Sequence, residues 1–342
     1  MSCYLIGCGA AVPERIVTNE ELAPRLGVTP EWIEAKSGIR ERRWAQAEQS
    51  TSDLAAASVR AALTDAGVKA EQLDYLIGGT LSPDYQVPGI APLVQRKLAG
   101  CGPVPAVDLR VGCAAILYSL QLAQGLIASR AAKTIVCFGA EAQSKGLDLN
   151  ERSAELSMLF GDGAGAVVIS HQPPLPGSDH SFALSLDDVL IATDGNYAED
   201  LGVRAPGTGN GVHWFDATHR EANLHRASMN GRSVILHAVR KLAEAATAIT
   251  ARHEITPDQI DVVIPHQANA NLLRSLSAQL KIPEDRIVSN VARYGNTSGA
   301  SAFIALAQAK QEGRLRPGAR VLFLAFGAGF TWGAALGKIS AE

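Results

Sequence analysis

Cysteine and charge are both scarce in this sequence. Its 342 residues include five cysteines, none of them in a CxxC pair, and no histidine–cysteine cluster has zinc-site spacing. So few cysteines exclude a disulfide-rich scaffold and indicate a reduced compartment, and we expect no bound metal. Charged residues make up 19% and the formal net charge is −3. This excludes a disordered chain and gives no overall electrostatic signature for nucleic acid binding.

Leader segments and long apolar runs are also lacking. The N-terminus has no basic region followed by a long apolar stretch, so the sequence predicts no signal peptide and a cytoplasmic location. The most apolar stretch, Val321–Gly337, has 17 residues, just short of a membrane span, and has Gly327, Gly329 and Gly333 in its interior. We interpret it as two buried strands joined by a tight turn. The P-loop and G-x-S-x-G motifs are absent, which excludes P-loop nucleotide hydrolases and ordinary serine hydrolases.

Strand-like and helix-like patterns alternate along the N-terminal half. Apolar runs predict strands at Tyr4–Ile6, Leu73–Ile77, Pro105–Leu109 and Lys133–Phe138. Helical spacing predicts helices at Ser52–Ala66 and Ala114–Ser129. This alternation is typical of a layered α/β fold with largely parallel strands.

The C-terminal half repeats landmarks of the N-terminal half. Leu73–Ile77 (LDYLI) has a counterpart in Ile260–Ile264 (IDVVI), and the tripeptides LAQ at 122 and FGA at 138 recur at 306 and 326. The three spacings of 187, 184 and 188 residues agree closely and are near half the chain length. We infer a duplication, with halves at residues 1–172 and 173–342. Pro173–Ala227 has the least pattern and is expected to be a connector carrying surface loops.

Cys113 is the first candidate for catalysis. It lies between a predicted strand and a long predicted helix, and Gly112 permits a tight turn that exposes the thiol. The positive end of a helix dipole favours the thiolate, which is the reactive form of cysteine. The alternative is a small buried apolar cysteine, the usual role of a free cysteine and the one expected for Cys137.

His266 and Asn296 are the second and third candidates. His266 follows the apolar run Val262–Pro265, so it is expected at the sheet edge where α/β proteins bind ligands. Asn296 lies in the loop Tyr294–Ser301 (YGNTSGAS), which by itself favours a helix cap. The repeat makes this loop the counterpart of the Cys113 turn, so we expect the two loops to face each other across a pseudo-twofold axis.

Two glycine-rich stretches complete the candidate motifs. Gly161–Gly165 (GDGAG) lacks the spacing and the later acid of a dinucleotide-binding fingerprint. Phe326–Phe330 (FGAGF) follows a predicted strand and is able to present backbone N–H groups as an oxyanion hole.

Together these motifs resemble the β-ketoacyl-acyl-carrier-protein synthase III family of the thiolase superfamily. The resemblance runs almost end to end and includes Glu31–Ile33, Ser37–Arg42, Gly112–Cys113, Phe160–Gly165, Pro265–Asn269, Tyr294–Ser298 and Phe326–Gly333. It implies a thiolase-like five-layered α-β-α-β-α sandwich from two duplicated halves, and a homodimer. It also implies a catalytic triad of Cys113, His266 and Asn296.

The resemblance also implies a reaction. Cys113 takes an acyl group from an acyl-CoA, and a malonyl thioester, carried by acyl-carrier protein or CoA, loses CO2 and condenses with it without a metal or redox cofactor. Backbone N–H groups of Cys113 and Ala328 form the oxyanion hole, and Val87 and Phe326 line the acyl pocket. The CoA and pantetheine contacts implied are Trp32, Lys36, Arg40, Arg152 and Asn269.

The sequence departs from the family pattern at several positions. Lys36 and Asn271 stand where arginine is common, and Leu236 stands where lysine is common. Two lost cations weaken attraction to an acidic carrier protein. Val87 replaces an aromatic that limits the acyl pocket across the dimer, so we expect room for longer or branched acyl groups.

Two alternatives to a condensing enzyme stay open. One is an acyltransferase of the same fold that releases no CO2, and the other is a non-catalytic acyl-CoA-binding subunit.

Overall fold

The computed structural model describes residues 3–175, 177, 180–210 and 217–341. Its strands are β1 (Tyr4–Ala11), β2 (Ile16–Thr18), β3 (Glu41–Arg43), β4 (Tyr75–Gly79), β5 (Ala106–Leu109), β6 (Thr134–Glu141), β7 (Gly163–Ser170), β8 (Leu184–Thr193), β9 (Leu201–Val203), β10 (Ala227–Met229), β11 (Val262–Pro265), β12 (Arg320–Gly327) and β13 (Thr331–Ile339). Its α-helices are α1 (Asn19–Leu26), α2 (Pro30–Ser37), α3 (Thr51–Ala66), α4 (Ile90–Lys97), α5 (Ala115–Ala128), α6 (Ala154–Ser157), α7 (Ala217–Glu221), α8 (Gly231–Arg252), α9 (Ala270–Leu280), α10 (Val291–Tyr294) and α11 (Ser301–Gln311).

Nine strands form one hydrogen-bonded sheet in the order β11-β12-β13-β8-β1-β7-β6-β4-β5. Only two residue pairs join β1 to β8, and they divide the sheet into two half-sheets. In the first, β4 and β6 are parallel, and β6–β7 and β7–β1 are antiparallel. In the second, β11 and β12 are parallel, and β12–β13 and β13–β8 are antiparallel. This shared pattern confirms the duplication. The boundary at 172/173 falls between β7 and β8 and stays a prediction.

The helices form three layers around the two half-sheets. Helix α3 packs against β1, β6 and β7 on one outer face, and α8 packs against β8, β12 and β13 on the other. Between the half-sheets, α5 contacts β4 and β6 as well as β8, β12 and β13, and α11 contacts β1, β7 and β11. Because α5 and α11 are covered on both sides, their sequences are apolar nearly all round. The result is the five-layered sandwich that was expected.

Three glycines leave the sheet without side chains where α5 and α11 begin. Gly79, Gly139 and Gly165 are neighbours in register across β4, β6 and β7. A Cβ atom on Gly79 would lie 2.6 Å from the Cβ of Ala115, at the start of α5. One on Gly139 would lie 2.2 Å from the carbonyl oxygen of Gly299, just before α11. We call Gly79, Gly139 and Gly165 the glycine row; it lets both helices begin in direct contact with the sheet.

Two expectations about the fold are wrong. Among the described strands, five of the eight neighbouring pairs in the large sheet are antiparallel. Strands β12 and β13, for example, are joined by three residues, too short a connection for a parallel pair. The expected connector, Pro173–Ala227, contains β8, which pairs with both β1 and β13. Asp187 and Asp188 interrupt the apolar pattern of this strand. Part of the connector lies outside the described residues.

The apolar stretch Val321–Gly337 forms most of β12 and β13, so the interpretation as two buried strands and a tight turn is confirmed. Across the part of the chain that the structure describes, no helix is both long and apolar enough to cross a membrane.

The glycine row predicts an uneven response to Gly→Ala substitution. Gly139→Ala should lower the free energy of unfolding by about 1–3 kcal/mol, because the new methyl group overlaps a backbone carbonyl. The control is Gly125→Ala in α5, where a Cβ meets nothing within 4 Å. It should raise stability by up to about 1 kcal/mol through helix propensity. Urea unfolding of the purified variants measures both, and equal effects would contradict the close approach.

Candidate active site

Cys113 lies where the chain enters central helix α5. A single helical turn, Gly112–Ala114, leads directly into α5. Gly112 has a φ of +55°, so the glycine-dependent turn is confirmed. Cys113 is partly exposed, and its Sγ lies 3.5 Å from the hydroxyl oxygen of Ser298.

The turn after Asn296 meets the Cys113 turn. A short helical turn, Ser298–Ala300, leads into α11 in the same way that Gly112–Ala114 leads into α5. A Cβ atom on Gly299 would lie 3.3 Å from the carbonyl oxygen of Gly112. The two loops related by the duplication are therefore in contact, at the N-terminal ends of both central helices.

Asn296 is held by its backbone and by its side-chain oxygen. Its N–H donates to Leu159 O at 2.7 Å, and its carbonyl accepts from Gly161 N at 3.1 Å. Its Oδ1 accepts from the backbone N–H of Ser298 at 2.8 Å. The opposite end of the side chain, Nδ2, has only hydrogen-bond donors to offer a ligand. Gly161, the first residue of the stretch Gly161–Gly165, thus supports the backbone of Asn296.

His266 follows β11 and is buried. Its Nδ1 lies 2.6 Å from the hydroxyl of Ser301, and that same oxygen accepts from Gln267 N at 3.2 Å. The Ser301 hydroxyl has a single hydrogen, and we assign it to His266 Nδ1, which makes Nε2 the protonated, donating nitrogen. Burial lowers the pKa of His266 to about 4, so the ring is neutral at pH 7.

The glycine-rich loop after β12 packs against the Cys113 turn. A Cβ on Gly327 would lie 2.9 Å from the backbone nitrogen of Cys113, and one on Gly112 would lie 3.6 Å from that of Ala328. The hydroxyl of Thr331 lies within hydrogen-bonding distance of the carbonyls of Val111 and Ala328, at 3.3 and 3.0 Å. Two backbone N–H groups on adjoining loops are the arrangement that an oxyanion hole needs.

The surroundings of the Cys113 sulfur favour the thiol in the free protein, although the residue itself is partly exposed. Burial raises the pKa of Cys113 to about 12, and the charge of Glu141 adds to the rise, whereas the hydrogen bond with Ser298 opposes it. The thiolate expected from the position at a helix N-terminus is therefore outweighed by burial. The sulfur must lose its proton as it attacks.

The residues expected to contact CoA lie on α2 and on elements near it. On α2, Lys36 Nζ is 6.0 Å from the centre of the Trp32 ring. Asn269 precedes α9 and donates from Nδ2 to the carbonyl of Lys36 at 3.1 Å. Arg152 is on a helical turn that packs against α1, which itself packs against α2. Arg40 is exposed, three residues after α2 ends.

The two residues expected in the acyl pocket have different surroundings. Phe326 is buried at the end of β12, with its ring centre 4.8 Å from that of Phe330. Val87 is 84% exposed in the single chain, so a pocket that includes it needs a second chain.

No grouping of three or more histidine, cysteine, aspartate or glutamate side chains suited to a metal ion occurs among the described residues.

Two duplicated halves whose central helices bring a cysteine turn and an asparagine turn together define a thiolase-fold condensing enzyme. Residues 107–187 match the family model for 3-oxoacyl-acyl-carrier-protein synthase III, and residues 250–339 match the model for its C-terminal part. The β-ketoacyl-acyl-carrier-protein synthase III of Nitratidesulfovibrio vulgaris strain DP4 is 39% identical over 332 residues, which are 97% of each chain. The chain belongs to the β-ketoacyl-acyl-carrier-protein synthase III family.

Solved structures agree with this assignment. The crystal structure of 3-oxoacyl-acyl-carrier-protein synthase III from Aquifex aeolicus VF5 has a TM-score of 0.86 and 32% identity, covering 98% of this chain and 99% of that chain. The priming β-ketosynthase from the R1128 polyketide biosynthetic pathway has a TM-score of 0.83 and 26% identity, covering 99% and 96%.

Buried His266 makes stability depend on pH. The pKa of His266 is about 4 in the folded protein and 6.5 for a free histidine, so only the unfolded chain binds this proton between those values. The free energy of unfolding should therefore rise with pH through this window, with up to about 3 kcal/mol from His266. His266→Asn should flatten the curve when urea midpoints are measured from pH 4 to 6.5. Parallel curves for the two proteins would contradict a buried neutral ring.

Proposed function

We propose that this enzyme catalyses a decarboxylating Claisen condensation between an acyl-CoA starter and a malonyl thioester, in fatty-acid initiation or a related lipid or polyketide pathway. The observation that carries the proposal is the meeting of the Cys113 turn with the Asn296 turn, with neutral His266 bonded to the first residue of α11. Membership of the β-ketoacyl-acyl-carrier-protein synthase III family supports it.

In the first step, Cys113 takes the acyl group. Its sulfur attacks the thioester carbonyl, and the N–H groups of Cys113 and Ala328 stabilise the oxyanion. The bond between carbonyl carbon and CoA sulfur then breaks, and CoA leaves as a thiol with the proton that Cys113 lost. Sulfur suits this role because it is both a good nucleophile and a good leaving group.

In the second step, the malonyl thioester condenses with acyl-Cys113. Its carbonyl oxygen accepts hydrogen bonds from His266 Nε2 and Asn296 Nδ2, so that CO2 leaves and the remaining electron pair forms an enolate. The enolate carbon attacks the acyl carbonyl, the bond to Cys113 breaks, and the thiolate takes up a proton. The sum converts acyl-CoA, a malonyl thioester and one proton into a β-ketoacyl thioester, CoA and CO2. Neither step calls for a metal or a redox group.

Substrate contacts follow from charge and position. CoA carries anionic phosphates, and exposed cations at Lys36, Arg40 and Arg152 offer favourable charge near the Trp32 ring. Leu236 on α8 is 65% exposed and brings no charge to the surface. Because Leu236 stands where lysine is common in the family, we expect a weaker attraction to an acidic carrier protein than in relatives that have the lysine. The acceptor is malonyl-acyl-carrier protein or malonyl-CoA.

A homodimer fits the exposed surface beside the first half-sheet. Strand β5 is an edge strand of the large sheet, and an unpaired edge commonly recruits a second chain. Tyr85 and Val87, in the segment before α4, are 58% and 84% exposed. Pairing of two copies here brings Val87 of one copy to the acyl pocket of the other.

Intact-protein mass spectrometry with acyl-CoAs from acetyl to dodecanoyl tests both steps. Wild type should gain one acyl group and Cys113→Ala none. Asn296→Ala should still form the adduct but lose about 100-fold or more in CO2 release from a malonyl thioester, because one donor to the enolate is removed. Acyl transfer without CO2 would favour the plain acyltransferase. No adduct with any donor would favour the binding subunit.

Chain-length preference tests the role of Val87. Val87→Phe should cut kcat/KM for octanoyl-CoA at least about 10-fold relative to acetyl-CoA, because a bulky ring fills the pocket. Val203→Phe, at another exposed valine on β9, is the matched control and should leave the ratio unchanged. An unchanged ratio in Val87→Phe would remove Val87 from the acyl pocket.

A further inference from the structure

A buried carboxylate lies beneath the two catalytic turns. Glu141 is the last residue of β6, it has no exposed surface, and no step described above uses it. A buried carboxylate is costly unless donors surround it. Burial raises the pKa of Glu141, and the hydrogen bonds that its oxygens accept oppose that rise. Glu141 is therefore held in place by the groups that donate to it, and it in turn holds them.

Donors reach Glu141 from both halves of the molecule. From the first half, the backbone N–H of Leu81 donates to both carboxylate oxygens at 3.2 Å, and the Ser82 hydroxyl donates to Oε2 at 2.6 Å. From the second half, Gly299 N–H donates to Oε1 at 3.4 Å, and the Ser298 hydroxyl contributes a further bond. One side chain thus ties the turn after β4 to the turn before α11.

Ser298 connects this carboxylate to two members of the triad. Its backbone N–H holds Asn296 Oδ1 at 2.8 Å, and its hydroxyl lies 3.5 Å from Cys113 Sγ. Its φ is +46°, a left-handed conformation that a residue other than glycine adopts only at a cost. Bonds from Ser298 and Gly299 to Glu141 hold the turn in this conformation.

We propose that Glu141 is a positioning residue for the condensation step, fixing the Ser298–Gly299 turn so that the Asn296 amide is aimed at the malonyl carbonyl beside Cys113. This inference rests on the proposed function and deepens it. Glu141 does not touch the substrate; it acts through Ser298. Because Asn296 acts in the second step, loss of Glu141 harms condensation more than acylation.

The test compares Glu141→Gln with wild type in both steps. Glutamine keeps the shape but replaces one accepting oxygen by a donor, so one of the two turns loses its anchor. We expect the rate of acyl-Cys113 formation to stay within about 3-fold, and CO2 release from a malonyl thioester to fall at least about 30-fold. Glu71→Gln, at an exposed glutamate, is the matched control and should change neither rate.

A second readout separates positioning from general loss of structure. The charge of Glu141 raises the pKa of Cys113, and the Ser298 hydrogen bond lowers it, while His266 is neutral. Glu141→Gln should therefore speed the alkylation of Cys113 by iodoacetamide at a fixed pH below that pKa, because more of the sulfur is thiolate. Ser298→Ala should slow this alkylation, and it should also slow condensation more than acylation. It serves as the test variant if Glu141→Gln does not fold.

The outcomes distinguish this inference from the proposed function. The positioning role alone is overturned if wild type condenses but the folded Glu141→Gln or Ser298→Ala variant keeps the wild-type ratio of condensation rate to acylation rate. Equal losses in both steps with an unchanged alkylation rate of Cys113 also overturn it, since they indicate a merely structural role. Wild type that forms the adduct but releases no CO2 overturns the proposed function, and with it the assignment of Glu141 to the condensation step.

Discussion

The contact between the glycine row and the two central helices is the constraint on which the site depends. Helices α5 and α11 begin against β4, β6 and β7 only because Gly79, Gly139 and Gly165 carry no side chains. Because both helices begin in contact with the glycine row, the turns that precede them contact each other. The catalytic geometry is thus a consequence of backbone packing, and interiors packed this closely transmit small displacements instead of absorbing them.

The polar groups of the site are mainly N–H dipoles, with few charged side chains. Burial keeps Cys113 protonated and His266 neutral in the free protein. In the proposed mechanism, the groups that face a substrate are then N–H donors: two from the backbone, one from the His266 ring and one from the Asn296 amide. Donors fixed in a dry site stabilise a developing oxyanion without reorganising. A neutral imidazole also leaves no positive charge to hold a malonyl carboxylate that has to leave as CO2.

The parts of the structure that were predictable from sequence are those with local patterns. The duplication was visible because three landmarks, among them LDYLI and IDVVI, recur in the same order at nearly equal spacings. Cys113 and His266 stood out because each follows a predicted strand. Roles that depend on distant contacts were missed. Glu141 reads as an ordinary acid at a strand end, and Ser301 as a helix-start serine; only the fold brings them to Leu81 and His266. The direction of β7 relative to β6 was also beyond reach, since these antiparallel strands have no short hairpin between them.

The place of β1 in the sheet has a consequence for how the chain is assembled. This strand lies in the middle of the nine, between β7 and β8, so both of its neighbours come from the far side of the first half and the start of the second. During synthesis β1 emerges before β7, so it finds this strand partner only when Gly163–Ser170 has been made. Pairing of β1 with β7 is therefore a long-range contact, of the kind that slows folding.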